Sequence, residues 1–146
     1  LWDVGSGSGS VAIECALARP GLRVVALERR PDDAARIRRN AARLGVTVEV
    51  VEGEAPAALA GLARPDRVFV GGGGLGVVEA ALARLGQGGR LTATFSSPGR
   101  AEAAGRLLGA MAQISVSRGR RLPDGSFRLE AANPVFVAWG PTEEAG

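Results

Sequence analysis

The sequence contains no lysine, histidine or tyrosine, and all 18 of its basic residues are arginine. These absences exclude a Ser-His-Asp or Cys-His nucleophile, a phosphate-binding loop with its lysine, a metal site containing histidine and a Tyr/Lys hydride-transfer site. Only aspartate, glutamate and a single cysteine remain for acid–base chemistry. The composition therefore favours a reaction that needs little proton transfer from the protein, and we predict no metal site.

Cysteine is equally scarce, because Cys15 is the one copy in 146 residues. A lone cysteine argues against a disulfide scaffold and fits a reducing cytoplasm. Since Cys15 lies with Val11 on the apolar side of a predicted helix, we interpret it as a buried structural thiol. No apolar run is long enough to cross a membrane, and there is no signal-peptide pattern. The length suits one domain with a hydrophobic core.

The chain is weakly basic, with a formal net charge of +3 and a pI near 10.8. The arginines are spread along the chain rather than gathered into a tail, so we predict neither a nucleic-acid nor a membrane partner. An acidic small substrate explains the same charge.

The chain is organised around its first ten residues, LWDVGSGSGS. An apolar strand runs into alternating glycine and serine, and a helix follows. A strand, a glycine-rich turn and a helix form a nucleotide-type site at the carboxyl end of the first strand of an α/β sheet. Glycine permits a tight turn and close approach of a ligand to the backbone, and the helix start presents free N–H groups.

Two ligand classes use such a turn. Asp3, Gly5, Gly7 and Gly9 match the acidic-x-Gly-x-Gly-x-Gly pattern, which resembles motif I of class I S-adenosylmethionine-dependent methyltransferases. Gly7, Gly9 and Ala12 also satisfy the dinucleotide fingerprint Gly-x-Gly-x-x-Gly/Ala. The glycines alone leave both open, but an acidic residue at the strand end favours a ligand with a cationic or hydroxylated part.

Acidic residues end the next two predicted strands. Glu28 lies 19 residues after Gly9, which places it beside the glycine-rich turn, where a carboxylate can accept hydrogen bonds from two ribose hydroxyls. The turn at Gly53, Glu54 and Ala55 follows the third strand, where class I methyltransferases hold the adenine. A simple helix start explains this second turn equally well.

The remaining pattern alternates helices and strands. We predict helices over residues 10–18, 31–44, 56–62, 75–85 and 100–111, and strands over residues 1–4, 22–28, 48–51, 65–70 and 89–95. Four consecutive glycines, Gly71 to Gly74, follow the fourth strand and leave an open rim for a bulky substrate. Residues 113–122 and 127–139 form a predicted hairpin around a turn at residues 123–126. Residues 141–146 are predicted to form a frayed tail.

This order predicts an α/β, Rossmann-like class I methyltransferase fold with a mostly parallel seven-stranded sheet and a C-terminal antiparallel hairpin. A dinucleotide dehydrogenase would more often continue with another βαβ half. Because the chain begins inside the first strand, we expect the N-terminal helices to be missing from a single domain over residues 1–146.

Several stretches together resemble one family. They are residues 1–14, PDRVFVGG at 65–72, RLE at 128–130 and NPVF at 133–136. These stretches are similar to the C-terminal, decarboxylating domain of precorrin-6Y C5,15-methyltransferases from cobalamin biosynthesis, and the likeness spans nearly the whole chain. One departure is ATFS at 93–96, where the family has a run like Asn-Ala-Val-Thr.

The resemblance implies methylation of carbon 15 of a precorrin, with decarboxylation of a ring acetate. Methyl transfer from a sulfonium fits a chain that is poor in acid–base groups. Predicted partners are a carboxylated tetrapyrrole, a fused or associated N-terminal methyltransferase domain, and further copies of the chain. The alternatives are methylation of RNA or protein, and a non-catalytic NAD-binding module.

The predicted cofactor is S-adenosylmethionine, and S-adenosylhomocysteine is its product. No catalytic residue is assigned. The residues predicted to bind the cofactor are Asp3, Gly5, Ser6, Gly7, Gly9, Ser10, Glu28, Arg29, Gly53, Glu54, Ala55 and Gly71.

Overall fold

A computed structural model describes residues 1–141 of the chain. The described helices are α1 (Ser10–Ala18), α2 (Pro31–Arg43), α3 (Leu75–Arg84) and α4 (Pro98–Leu108), with a 3₁₀ turn over Ala57–Gly61. The described strands are β1 (Trp2–Val4), β2 (Val25–Glu28), β3 (Glu49–Glu52), β4 (Arg67–Val70), β5 (Arg90–Phe95), β6 (Ala110–Ile114), β7 (Ser117–Arg121), β8 (Phe127–Ala131) and β9 (Val135–Gly140). The predicted tail beyond residue 141 lies outside the described residues.

Seven of these strands form one sheet in the order β3-β2-β1-β4-β5-β9-β6. β1 to β5 are parallel, and β9 runs antiparallel to both of its neighbours. The predicted Rossmann-like class I methyltransferase fold is confirmed, including the seven strands. The antiparallel strand comes last in the chain but lies inside the sheet rather than at its edge.

Helices cover both faces of the sheet. Side chains alternate between the two faces along each strand, so the apolar strands present apolar side chains on both faces that helices must cover. On one face, Val4, Leu27 and Leu91 belong to the larger apolar cluster, which also contains residues of α3 and α4. On the other face, Ala26 packs with Ile37 of α2, and α1 contributes to the same smaller cluster. Burial on both faces explains why the central strands are short apolar runs.

Several element bounds differ from the sequence prediction for identifiable reasons. Pairing of β2 begins at Val25, directly opposite Trp2 of the short strand β1. Helix α4 begins at Pro98, which is suited to the first helical position because it has no N–H to lose. It ends before Gly109, which has a left-handed φ of 104°, so residues that were expected to continue the helix begin β6 instead.

The predicted C-terminal hairpin is one antiparallel ribbon with an interruption. β6 pairs with β9 up to Ile114 and Val135, and the ribbon resumes where Ala132 N–H donates to Val116 O at 2.8 Å. The intervening segments differ by one residue, so the chain bulges at Asn133 and Pro134, where proline supplies no N–H to the ladder. We call residues 115–134, which contain β7 and β8, the arm.

Cys15 is half-buried rather than fully buried, and burial raises the pKa of its thiol above the ordinary value of 9.0. Within residues 1–141, we find no helix with the length and apolar character needed to cross a membrane.

Candidate functional site

The glycine-rich turn after β1 is held against the neighbouring strands by backbone contacts. The N–H groups of Gly5 and Ser6 donate to Leu27 O at 2.9 and 3.2 Å, and thereby fix the turn to β2. Gly5 has a φ of 73°, and a Cβ at this position would lie 2.9 Å from the backbone nitrogen of Gly72. Only glycine fits there, because the obstruction is backbone rather than a movable side chain.

Asp3 lies at the end of β1, and its carboxylate binds the protein itself. Oδ2 accepts hydrogen bonds from the Ser6 hydroxyl at 2.5 Å and from the Ala12 N–H, in the first turn of α1, at 3.0 Å. The side chain is fully buried. Burial raises the pKa of this carboxyl above the ordinary 3.8, while the two hydrogen bonds act in the opposite direction. Asp3 therefore fixes the turn from its buried side and stabilises the N-terminus of α1.

Glu28 lies at the end of β2 and faces the same turn. Its Oε2 accepts the Gly7 N–H at 2.9 Å, and its Oε1 accepts the Arg30 N–H at 3.0 Å. The side chain is only 6% exposed. A carboxylate has about four lone-pair sites, so two hydrogen bonds from the protein leave acceptor capacity for a ligand.

A pocket of about 360 Å³ opens at this carboxyl edge of the sheet. Its lining residues are Val4, Gly5, Gly7, Leu27, Glu28, Arg29, Arg30, Gly53, Glu54, Ala55, Gly72 and Gly73. The volume falls in the range of small-molecule sites, and the position is the edge at which parallel α/β sheets bind ligands. An exposed ion pair between Arg29 and Glu54, 3.2 Å long, lies at this pocket.

Seven of the twelve residues predicted from the sequence to bind the cofactor line this pocket. They are Gly5, Gly7, Glu28, Arg29, Gly53, Glu54 and Ala55. The other five, which lie outside the lining, are Asp3, Ser6, Gly9, Ser10 and Gly71. All of them except Ser10, which is the exposed first residue of α1, support the turn and the helix start.

The supporting glycines illustrate this second group. A Cβ at Gly9 would meet the Ile37 side chain at 2.8 Å, so this glycine permits packing of the turn on α2. The Gly71 N–H donates to Val4 O at 2.9 Å and thereby continues the pairing between β4 and β1.

Several lining residues were not predicted from the sequence, and Arg30 is the most informative of them. Its N–H fixes the Glu28 carboxylate, and its side chain lines the pocket. The only signal was its position two residues after the predicted ribose-binding acid. Gly72 and Gly73 belong to the rim already assigned to the substrate, and Val4 and Leu27 were assigned to the core alone.

The glycine rim after β4 lies close to the sheet because its backbone packs against the glycine-rich turn that follows β1. Gly73 has a φ of 99°, and a Cβ there would lie 2.5 Å from Val77. Gly74, with a φ of 77°, precedes α3. Across residues 1–141, no group of three or more cysteine, aspartate or glutamate side chains is placed to hold a metal ion.

Comparisons with known proteins agree with this geometry. The family model described as "Precorrin methyltransferase domain" matches residues 1–141. A precorrin-6Y C5,15-methyltransferase (decarboxylating) from Sinorhizobium sp. is 57% identical over 96 residues, which are 64% of this chain and 23% of that protein. A cobalt-precorrin-6B C15-methyltransferase (decarboxylating) from Salmonella typhimurium is 41% identical over 99 residues, which are 65% of this chain and 50% of that protein. The chain thus spans only about a quarter to a half of these relatives.

Solved structures give the same result. The C-terminal domain of precorrin-6Y C5,15-methyltransferase from Rhodobacter capsulatus superposes with a TM-score of 0.85 at 32% identity, covering 95% of this chain and 78% of that one. Precorrin-6Y C5,15-methyltransferase from Geobacter metallireducens superposes with a TM-score of 0.82 at 32% identity, covering 94% and 77%.

Proposed function

This chain belongs to the precorrin methyltransferase domain family, and from that membership we propose that it is an S-adenosylmethionine-dependent C-methyltransferase. Its proposed substrate is a precorrin of cobalamin biosynthesis. The reaction would methylate carbon 15 and remove the carboxyl group of a ring acetate, as the names of its relatives describe for those proteins.

The observation that carries the cofactor proposal is the pairing of Asp3 with the start of α1. Dinucleotide-binding folds place a pyrophosphate at this helix N-terminus. Here the Ala12 N–H already donates to the buried Asp3 carboxylate. A second negative group beside it would meet like-charge repulsion at a site of low dielectric. S-adenosylmethionine has no phosphate, and its ammonium and sulfonium outweigh its one carboxylate, so its net positive charge suits this site better than a pyrophosphate does.

The residues present fit this cofactor. Glu28 offers a buried carboxylate to two ribose hydroxyls, and Gly7 has open space where a Cβ would stand. The turn at residues 53–55 lines the same pocket and offers the Glu54 carboxylate to an adenine. Asp3, Ser6, Gly9 and Gly71 hold the walls in place. When bound, the cofactor supplies a methyl group on a positively charged sulfur.

The protein's part in the chemistry is positioning. The glycines at 71–74 leave a rim without side chains beside the pocket, so a flat macrocycle can approach closely. A precorrin is electron-rich, and its own carbon can act as the nucleophile, while its conjugated ring can accept the electrons released on decarboxylation. Holding the reacting atoms in line lowers the activation barrier by several kcal/mol. The largest effect known for well-oriented reactants is about 7–11 kcal/mol. This agrees with a chain that lacks histidine, lysine and tyrosine.

Calorimetry tests the cofactor proposal directly. We expect the chain to bind S-adenosylhomocysteine and not NADH. Glu28→Ala should weaken S-adenosylhomocysteine binding by about tenfold or more, because a charge-assisted hydrogen bond contributes roughly 1.5–3 kcal/mol. Arg43→Ala, an exposed change at the far end of α2, is the control. Binding of NADH in preference to S-adenosylhomocysteine would overturn the proposal.

We further propose that copies of this chain associate with one another. β6 is an edge strand of the main sheet, and its sequence AMAQI contains no charge or proline to block pairing with another chain. On the arm, Phe127 and Leu129 are 68% and 72% exposed. These apolar surfaces suit a second copy. We also propose a fused or associated N-terminal methyltransferase domain. The single cysteine supports a cytoplasmic location as part of the proposal.

A further inference from the structure

The arm leaves the sheet at the same edge as the pocket. β9 runs antiparallel to β5, with Phe136 opposite Phe95 and Gly140 opposite Leu91. β6 therefore ends, and β9 begins, at the carboxyl end of the parallel strands, where the glycine-rich turns also lie. β7 and β8 pair only with each other and are almost entirely exposed. An isolated two-stranded ribbon is marginally stable by itself, so a binding role would explain it better than a structural one.

The two faces of the arm differ in chemistry. Residues directly opposite each other in an antiparallel pair lie on one face. One face carries Leu129 and Phe127, with the Phe127 ring 3.2 Å from where a Cβ of Gly119 would lie, and a single charged residue, Arg121, opposite Phe127. The other face carries the pairs Arg118 with Glu130 and Arg120 with Arg128.

The charged face is basic. It carries three arginines and one glutamate, a net charge of +2, whereas the fourth arginine of the arm, Arg121, lies on the other face opposite Phe127. Arg120 is paired with Glu130, with Nε 2.5 Å from Oε1. Among the described residues, Arg118 and Arg128 have no ion-pair partner. These two guanidinium groups are therefore available to a ligand.

The same face becomes apolar nearer the sheet. Side chains alternate along the arm, so Arg120 and Arg118 share a side with Val116. At the base of the arm, across its interruption, Ile114 lies opposite Val135. The last three are 47%, 52% and 44% exposed. This surface thus runs from an apolar strip at the sheet edge to arginines farther out along the arm.

We propose that this face of the arm binds the substrate, with the apolar strip against the ring and Arg118, Arg120 and Arg128 on its carboxylates. The inference rests on the proposed function and assigns the substrate side of the site. The proposed substrate has a flat apolar ring with acids at its periphery. The surface matches it, because an apolar strip lies at the sheet edge and arginines lie farther out. Arginine suits the acids because its planar guanidinium makes two-pronged contacts with carboxylates.

Fluorescence titration of the full chain with uroporphyrin, a flat tetrapyrrole with acids on every ring, tests the assignment. The variant Arg118→Ser/Arg120→Ser/Arg128→Ser should bind roughly tenfold more weakly, because it removes three exposed charge contacts to the carboxylates, each of which contributes little by itself. Its loss of affinity between low and high salt should also shrink. The control Arg19→Ser/Arg39→Ser/Arg43→Ser removes the same charge from α2 and the region after α1. Replacing the three arm arginines by lysine should restore part of the affinity.

The outcomes separate the two proposals. If the wild-type chain binds S-adenosylhomocysteine but not uroporphyrin, the proposed substrate class fails, and the arm assignment fails with it. If wild type binds uroporphyrin and the arm variant binds it equally well, or no worse than the control variant, the arm assignment alone is overturned. Loss of binding to single-stranded RNA in the arm variant, with uroporphyrin binding unchanged, would instead assign the arm to a nucleic acid.

Discussion

Gly7 is the residue at which ligand contact can be separated from packing. Its φ is 57°, and a Cβ built there meets nothing within 4 Å, whereas Gly5 and Gly9 are obstructed by backbone or by Ile37. A side chain at position 7 would therefore project into the pocket without disturbing the core. Gly45, with a φ of 67° and equally open surroundings, lies just beyond α2 and away from the pocket.

We predict that Gly7→Ala and Gly45→Ala each lower the free energy of unfolding by about 1 kcal/mol, because both place a Cβ in the left-handed region. Only Gly7→Ala should weaken S-adenosylhomocysteine binding, by about tenfold or more. Urea unfolding and calorimetry measure the two effects. Equal affinity in both variants would mean that Gly7 only connects β1 to α1.

Asp3 makes stability depend on pH. Burial raises the pKa of its carboxyl above 3.8, so the folded chain holds this proton more tightly than the unfolded chain. Its contribution is therefore fully present below the unfolded value and declines as pH rises through the folded value. We predict that the free energy of unfolding of wild type, relative to Asp3→Asn, is smaller at pH 7 than at pH 4. A difference that grows with pH in urea unfolding would contradict this.

The arm is the element with the least connection to the fold. Ile114 and Val135 are already paired at its base, so a two-residue Asn-Gly turn can join them in place of residues 115–134. We predict that this deletion changes the free energy of unfolding of the domain by less than about 1 kcal/mol and leaves S-adenosylhomocysteine affinity unchanged. Thermal unfolding and calorimetry measure both. A deletion variant that fails to fold would show that the arm supports the sheet.

Most elements could be predicted from the sequence, and the exceptions have local causes. Apolar runs bounded by glycine or proline gave α1 with its observed bounds and the strands with errors of a few residues. The ribbon was predicted as two unbroken strands because alternation continues through residues 113–122. The interruption depends on pairing register at Asn133 and Pro134, which is a property of two strands together.

The pocket was predictable to a similar degree. The spacing from Gly9 to Glu28 correctly brought the carboxylate to the turn, because neighbouring parallel strands end at the same edge. The direction of the Asp3 side chain could not be predicted, since a strand-end acid can point to a ligand or back into the protein. The role of Arg30 was missed because its contact with Glu28 uses the backbone N–H, which carries no sequence signature.

At the scale of the whole molecule, the proposed association depends on the apolar face of the arm. We predict that the chain sediments as an oligomer and that Phe127→Ser/Leu129→Ser shifts it toward the monomer, because two exposed apolar side chains lose their cover. The matched control is Leu17→Ser/Leu44→Ser, at two other apolar residues that are 43% and 46% exposed. Sedimentation velocity at several concentrations measures the shift. A monomeric wild type would contradict the proposal.

The contact between Gly5 and Gly72 is asymmetric, and this has an evolutionary consequence. A Cβ at Gly5 would collide with the Gly72 backbone nitrogen at 2.9 Å, yet a Cβ at Gly72 would stand 4.0 Å from Gly5 Cα. Gly72 also lies outside the left-handed region. Position 72 can therefore acquire a small side chain in a single step without a backbone clash, while position 5 cannot change until the rim has moved. The proposed acceptor side of the pocket is thus open to side chains that would suit other macrocycles, whereas the proposed cofactor side is fixed by its neighbour.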